Sequence, residues 1–404
     1  MPKSYIGFVQ ALELTLGNVG PLPPEKRNLG DCLDAVAAED IHAAVDSPSA
    51  STSLKDGYAL RSSDIAGASQ DHPVKLALSG VATAGAKEKA TVRPHSAVRI
   101  LTGGQIPRQS DVVVSEEFTR LEEENLLVLK ATEAGRNILA RSTDIKTGEK
   151  IIAAGDRLTP GRLGLIAAAG HAAALVHRNP RIAVIATGDE VLLPGTPIAK
   201  GQLYASNAVT LEAWCRRMGC DTMLAVVPDR YDAIMAVLQE AVDACDVVLT
   251  SGGAWSSERD LVGHVLDDIG WRRIFHRVRL GPGKGTGMGL VGQCAVFMLP
   301  GGPPANLVGF LKLARPAILK MGGHRDHDLP KQCLRLQHDV RGQQDWTQAV
   351  FGTIAFDGTG NGLFRPDRQA SRLKSMAHAQ ALLMIPEGVD HMAAGTFVEI
   401  EKIA

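Results

Sequence analysis

The sequence predicts a multidomain α/β protein, with a doubly wound parallel sheet in one domain and β-rich structure elsewhere. Three observations predict it. Between about residues 180 and 325, fully apolar strand-like runs alternate with helical segments, the pattern of a parallel sheet covered on both faces. From about 47 to 144, and again from 331 to 404, short apolar runs are divided by Gly, Pro, Ser and acidic residues. The chain has 404 residues, of which 45% are hydrophobic and only 4% aromatic, so a large core must be built from aliphatic side chains and alanine. At ~100–200 residues per domain, two to four domains follow.

Taken in order, residues 5–19 carry apolar positions at Ile6, Val9, Leu12, Leu14 and Leu16, a helical spacing that Gly20 to Pro24 ends. A short helix is expected at about 30–38. Val74–Leu78, Ala97–Leu101, Val112–Val114 and Leu126–Leu129 read as strands of a small β-rich unit. Leu163 to Val176 is the longest near-unbroken apolar run, 14 residues that include His171, and is expected to be a core helix at most. Arg181–Ala186, Thr222–Val227, Asp246–Thr250 and Ala295–Leu299 read as strands, with Ile274–Val278 strand-like. Helices are expected at about 207–218, Tyr231–Val242, 260–269 and 305–320, and a glycine-rich loop at Gly281–Gly289. Residues 331–404 suggest a small β-barrel or sandwich.

Charge and composition exclude several classes. Lys and Arg total 43 against 44 Asp and Glu, a net charge of −1, which argues against binding nucleic acid through bulk charge. A 14-residue apolar run falls short of the ~20 residues a membrane-spanning helix needs. Residues Met1 to Tyr5 lack the charged and apolar pattern of a signal peptide. Six scattered cysteines without a CxxC spacing fit buried thiols in a reducing cytoplasm.

In an open α/β sheet, ligands bind beyond the carboxyl ends of the strands. Three glycine-bearing segments fall at such ends: Thr187-Gly188-Asp189-Glu190, Thr250-Ser251-Gly252-Gly253 and Pro300-Gly301-Gly302-Pro303. Glycine allows close backbone approach, hydroxyls and free N–H groups bind phosphate oxygens, and carboxylates hold divalent cations. Each segment alone is as readily a tight turn; three in one domain, beside an acidic pair, point to a ligand.

The order of these and other motifs resembles the MoeA family, the molybdopterin molybdotransferases, which includes the E domain of gephyrin. The resemblance runs through nearly the whole chain. It rests on Asp56-Gly57-Tyr58-Ala59, Leu101-Thr102-Gly103, Asp111-Val112-Val113, Asn137-Ile138 with Asp144, and Gly155-Asp156-Arg157-Leu158-Thr159-Pro160. It continues through Ala186-Thr187-Gly188-Asp189-Glu190-Val191, Gly201 to Asn207, Ser251-Gly252-Gly253, Pro282-Gly283-Lys284 and Leu299-Pro300-Gly301.

The resemblance implies a homodimer of four-domain chains. It implies a molybdopterin-binding, MogA-like domain (1–19 and 179–327), a connecting domain (20–46 and 145–178), an inserted β-rich domain (47–144) and a C-terminal β-barrel domain (328–404). It implies the insertion of molybdate into adenylylated molybdopterin with Mg²⁺ and release of AMP. A molybdopterin adenylyltransferase or a molybdoenzyme would be the protein partner. Asp189, Glu190 and Asp260 match the family's acidic positions near metal and phosphate, and Asp229 matches another. Asp56 and Thr102 match positions that close the cleft across the dimer, and Asp144 one near the return from the inserted domain. Thr187, Gly188, Ser206, Asn207, Ser251, Gly252, Gly253, Lys284, Pro300, Gly301 and Pro303 fall in the segments expected to hold pterin and phosphate. Ser251, Gly252 and Gly253 are expected to do so by backbone N–H groups.

The departures from the family pattern cluster in the same place. The run after Ser251-Gly252-Gly253 reads Ala254-Trp255-Ser256-Ser257 where the family writes Val-Ser-Val-Gly. The first lysine of the family's Lys-Pro-Gly-Lys-Pro is Gly281, and Pro-Gly-Asn-Pro-Val-Ser is Pro300-Gly301-Gly302-Pro303-Pro304-Ala305. Arg259, Arg277, Arg279 and Lys284 are the cations placed to replace the missing lysine, and Trp255 either stacks on the pterin or fills its pocket. These losses motivate an alternative, a non-catalytic carrier, sensor or scaffold on the same fold. His324 to Asp328 reads as a solvated linker rather than a metal site, and Cys215 and Cys220 as ordinary thiols.

Overall fold

The computed structural model describes residues 5–85, 90–252, 261–367 and 372–403. A central sheet is built from β1 (Arg181–Thr187), β2 (Asp221–Val227), β3 (Val247–Ser251), β4 (Arg272–His276), β5 (Gly287–Val291) and β6 (Cys294–Leu299). Their spatial order is β2–β1–β3–β6–β5–β4. The first four neighbours are parallel, and β5 and β4 add an antiparallel pair at one edge.

Side chains of a strand alternate between faces, and here both faces are apolar. Ile182, Val184, Val247, Leu249, Phe297 and Leu299 point to one side, against Leu211 and Cys215 of α1 (Ser206–Arg217). Ala183, Ile185, Val248, Val296 and Met298 point to the other, against Ile234, Leu238 and Ala241 of α2 (Tyr231–Ala244) and Val262, Val265 and Leu266 of α3 (Leu261–Asp268). The i, i+4, i+7 spacing in α2 is the stripe that a helix lays on a sheet. The first face is closed by α4 (Pro303–Gly309), a π-helical turn (Phe310–Ala314) and α5 (Arg315–Met321). The widened turn falls just before Pro316, which has no N–H to give to the carbonyl of Lys312.

Three expectations are corrected. Residues 30–38 form a 3₁₀ turn (Leu29–Asp31) and a strand (Val36–Ala37), because Asp34 adopts φ +62° and the strand pairs with His177 and Val176. The apolar run 163–176 is split: a helix (Pro160–Ala168) ends before Gly170 at φ +94°, and Ala173–His177 is a strand. Within Gly281–Gly289, the last residues belong to β5; Gly289 is required because a Cβ there would overlap the indole of Trp271. Glycine here marks close packing rather than a loop.

The C-terminal strands Lys331–Leu336, Thr347–Phe356, Gly362–Pro366, Ala381–Ile385 and Phe397–Lys402 close into a five-stranded barrel, since Thr347–Phe356 pairs with both Gly362–Pro366 and Ala381–Ile385. That strand also pairs with Val278–Gly281, which pairs with Ile6–Gly7. A buried ion pair ties the barrel to the π turn: Lys312 Nζ lies 2.6 Å from Glu401 Oε1, each side chain 9% exposed. A second six-stranded sheet, 119–122, 125–128, 74–82, 96–100, 57–60 and 112–115, forms the β-rich unit. No helix among the described residues is long and apolar enough to cross a membrane.

Candidate functional site

The chain leaves β1 for β2 on one side and returns to β3 on the other, so the strand order reverses between β1 and β3. A ligand crevice is expected at the carboxyl ends there. A cavity of about 520 Å³ opens at that place. Thr187 and Glu190 line it from the end of β1, Ser206 and Asn207 from the first turn of α1, Ser251 and Gly252 from β3, and Gly301 and Pro303 from the turn into α4. Val191, Leu203, Tyr204 and Leu373 supply an apolar wall. The first N–H groups of a helix have no intrahelical acceptor, so α1 turns its positive end toward the cavity.

Ser251 is oriented by two asparagines. Asn207 Nδ2 donates to Gly301 O at 2.8 Å and to Ser251 Oγ at 3.1 Å. Asn306 Nδ2, in α4, donates to Pro300 O at 2.9 Å and to Ser251 Oγ at 3.1 Å. The two backbone carbonyls fix which amide atom is nitrogen. Both lone pairs of the Ser251 hydroxyl are then occupied, leaving its single hydrogen to donate. Ser251 is a directed donor at the cavity wall. Asn306 is 2% exposed. It escaped sequence reasoning because nothing local marks it; only its place one helical turn after Gly302 hints that it faces the strand ends.

Two glycines make the close approach possible. Gly252 has φ +107°, and a Cβ would sit 2.7 Å from the Thr187 carbonyl oxygen and 3.0 Å from its hydroxyl. Gly188 has φ +146°, and a Cβ would sit 2.9 Å from Glu190 Oε2. Their N–H groups are already used: Gly188 N donates to Val227 O at 3.2 Å and Gly252 N to Leu299 O at 3.3 Å. The Gly252 N–H is therefore not free for the expected backbone cradle, and the side-chain hydroxyls at this place are those of Ser251 and Thr187. The Thr187 hydroxyl, in a residue 5% exposed, has no partner among the described residues.

The acidic residues gather at one rim. Glu190 lines the cavity, and its carbonyl accepts from Leu203 N at 2.8 Å, which seats the 191–204 loop. Asp189 Oδ1 accepts from Asp229 N at 3.0 Å, joining the ends of β1 and β2. The Asp229 carboxyl is pushed above its usual range by burial first, then by the charges of Asp189 and Glu190. Among the described residues no three His, Cys, Asp or Glu side chains already converge as a metal cluster. That holds for His324 to Asp328 too, where His327 Nε2 meets His324 O at 2.7 Å. Gly253, Trp255, Arg259 and Asp260 lie outside the described residues.

The remaining candidates lie elsewhere in the single chain. Asp56 Oδ1 accepts from Thr102 N at 2.7 Å and Thr102 Oγ1 at 2.8 Å, which lowers the Asp56 pKa. The pair is exposed on the β-rich sheet and does not line the cavity, nor does Asp144, whose N–H donates to Ser47 O at 3.0 Å. Lys284 sits exposed in the turn before β5. Arg277 is 8% exposed, and Arg279 is held by Glu387 at 3.0 Å and by Tyr5 O at 3.2 Å. The described lining of the cavity holds no lysine or arginine, and Arg277, Arg279 and Lys284 are not among its residues in the single chain.

Residues 6–170 match the MoeA N-terminal region (domain I and II), and residues 183–320 match a probable molybdopterin binding domain. The chain is 31% identical over 312 residues to a molybdopterin molybdenumtransferase of Haemophilus influenzae, covering 77% of this chain and 76% of that one. It is 30% identical over 381 residues to that of Bacillus subtilis, covering 92% and 88%. Two crystal structures of the molybdopterin biosynthesis MoeA protein from Pyrococcus horikoshii superpose with TM-scores of 0.86 and 0.84 at 28% and 26% identity, covering 99% of this chain and 99% and 100% of theirs. On sequence shared across both halves and a fold shared end to end, the chain belongs to the MoeA family of molybdopterin molybdenumtransferases.

Proposed function

We propose that this chain inserts molybdate into adenylylated molybdopterin and releases AMP, as a homodimer in a reducing cytoplasm, and that it draws its substrate from an adenylyltransferase partner and serves molybdoenzymes. The observation that carries this reading is the cavity at the β1/β3 reversal, where the Ser251 hydroxyl is committed to donating beside an acidic rim. Its volume, about 520 Å³, suits a bicyclic ring system with a phosphate arm. The six cysteines are all free thiols, in keeping with a reducing compartment.

The substrate carries a phosphoanhydride. Ser251 Oγ–H and the Thr187 hydroxyl donate to its oxygens or to the pterin edge, and the first turn of α1 faces the phosphate with its positive end. Leu203 and Tyr204 cover the ring and exclude water. The rim has the donor set for a divalent cation: Asp189 and Glu190 lie close enough to Asp229 that, after burial, their charges raise its carboxyl, and a cation would offset that charge. Glu190 and Asp189, with Asp260, would hold Mg²⁺ there. When bound, Mg²⁺ neutralises charge that develops on the phosphoanhydride oxygens as AMP departs. Pro300, Gly301 and Pro303 shape the pterin end, and in the homodimer Asp56, Thr102 and Asp144 of one chain close the cleft of the other.

The test measures AMP release and substrate binding together, with adenylylated molybdopterin, Mg²⁺ and molybdate. Release far above the no-protein rate is expected, falling about 10²-fold in Glu190→Gln and Ser251→Ala. Tight binding without AMP release would refute catalysis and leave a carrier.

A further inference from the structure

A second cavity, of about 820 Å³, lies at the far end of α1. The first turn of that helix lines the functional cavity, and Trp214, Arg216 and Arg217 of its last turns line this one. The 12 residues of α1 separate the two by ~18 Å. Arg157, Arg315 from α5 and Lys402 from the last barrel strand complete a wall in which five cations face two carboxylates, Asp34 and Asp326.

Sorting the charges shows which are spent. Arg157 pairs with Asp34 at 2.9 Å, and Arg216 with Glu212 at 2.8 Å. Arg217, Arg315 and Lys402 have no carboxylate within ion-pair distance among the described residues. Arg217 lies 5.2 Å over the Trp214 ring and donates to Ile403 O at 3.4 Å; Arg315 donates to His327 O at 2.9 Å. A guanidinium has five N–H donors, so each keeps most of its hydrogen-bonding capacity. Burial penalises the Arg315 cation, with Asp326 the strongest of the charges that offset it. Three cations held on three separate elements, around a space large enough for a ligand, outnumber Asp326, the lining carboxylate that none of them ion-pairs with among the described residues.

We propose that this cavity binds an oligophosphate anion, with Arg217, Arg315 and Lys402 as its ligands and Trp214 as its wall. Three converging cations need a multiply charged anion rather than a single carboxylate. Planar guanidinium forks match phosphate oxygens two at a time. An inorganic chain and the phosphate tail of a nucleotide share this chemistry.

The experiment uses the full chain without divalent cation, titrated with inorganic tripolyphosphate by calorimetry and by tryptophan fluorescence. One site of sub-millimolar Kd is expected, about tenfold or more weaker in the Arg217→Gln/Lys402→Gln double variant, whose Tm stays within about 2 °C of the parent. The fluorescence change should vanish in Trp214→Phe while calorimetric binding persists. Ser251→Ala, at the other cavity, should bind as the parent does. Repeating the titration with ATP separates sources: equal affinity supports recognition of the phosphate chain alone, and tighter binding supports a nucleotide stacked by its base on Trp214. Absence of binding at about 5 mM, or undiminished affinity in the double variant, overturns the proposal. So does loss of binding in Ser251→Ala alone, which would move the anion to the functional cavity.

Discussion

The orientation of Ser251 can be dissected energetically. Asn306→Ala removes two hydrogen bonds, to Ser251 Oγ at 3.1 Å and to Pro300 O at 2.9 Å. At ~1 kcal/mol net for each, plus ~1 kcal/mol for leaving acceptors unpaired around a buried amide, the loss is about 3 kcal/mol. For a domain of this size that lowers Tm by ~6–12 °C. Asn207→Ala removes two bonds of the same length class from a half-exposed side chain that water can replace, so it costs ~1 kcal/mol and ~2–4 °C. The shared acceptor couples them. In a Ser251→Ala background each asparagine penalty should shrink by ~1 kcal/mol, a difference that a double-mutant cycle from urea unfolding resolves. Equal costs for Asn306→Ala and Asn207→Ala, or cycles additive to within ~0.3 kcal/mol, would refute the assignment of both Ser251 lone pairs to the two amides.

Gly252→Ala should cost ~3–5 kcal/mol and abolish substrate binding, because φ +107° is strained for alanine and its Cβ meets the Thr187 carbonyl at 2.7 Å; binding by calorimetry and Tm check it together. Lys312→Met strands Glu401 among apolar groups and should cost ~3–5 kcal/mol in urea unfolding, whereas Lys312→Met/Glu401→Met should recover most of that loss. His324 is held at about 4, below its usual 6.5, by burial first and then by Arg157, His327 and Arg315. Its folded pKa is depressed, so the neutral ring contributes stability that is present above pH 6.5 and is lost as pH falls toward 4. His324→Asn should flatten the Tm profile across that window. Asp229 is shifted the other way, so Asp229→Asn should raise Tm at neutral pH, with the gain fading as pH falls to the ordinary carboxylate range and both forms become neutral.

Much of the fold is legible because parallel strands are buried on both faces and so read as unbroken apolar runs: Ile182 to Ala186, Val247 to Leu249 and Ala295 to Leu299 declare themselves. What misleads is local. The apolar run from Leu163 to Val176 has no polar break to show that it leaves a helix at Gly170 and becomes a strand. Gly287 and Gly289 mimic a loop, yet they are there because His276 and Trp271 crowd β5. At the site, the strand-end segments foretell where the cavity lies but not how it works. Ser251 is readable as a hydroxyl at a strand end; that it can only donate depends on Asn306, 55 residues away, and on two carbonyls whose directions no pattern encodes. The amide that the family writes at position 302 is glycine here, and the one that holds Ser251 stands four residues later.

That substitution pattern constrains how an anion can be held. The described lining offers hydroxyls, two asparagine amides already spent on Ser251 and backbone carbonyls, and a helix end, but no lysine or arginine. Across the rim stand Glu190, Asp189 and Asp229, the last shifted upward by burial and then by the charges of the other two. A phosphate entering such a site meets repulsion of about 1 kcal/mol or more from each unscreened carboxylate at ~4 Å, against ~0.3–1 kcal/mol from the helix terminus. Neutral donors do not reverse that sum, so the proposed reading predicts that substrate binding is linked to a cation taken up with it. Chelating divalent cations should therefore weaken binding of adenylylated molybdopterin by about tenfold or more, while a rise in NaCl changes it little, since no surface lysine field is being screened. The reverse result, salt-sensitive binding indifferent to chelation, would place the anion-holding charge on lysine or arginine side chains and remove the acidic rim from the reaction.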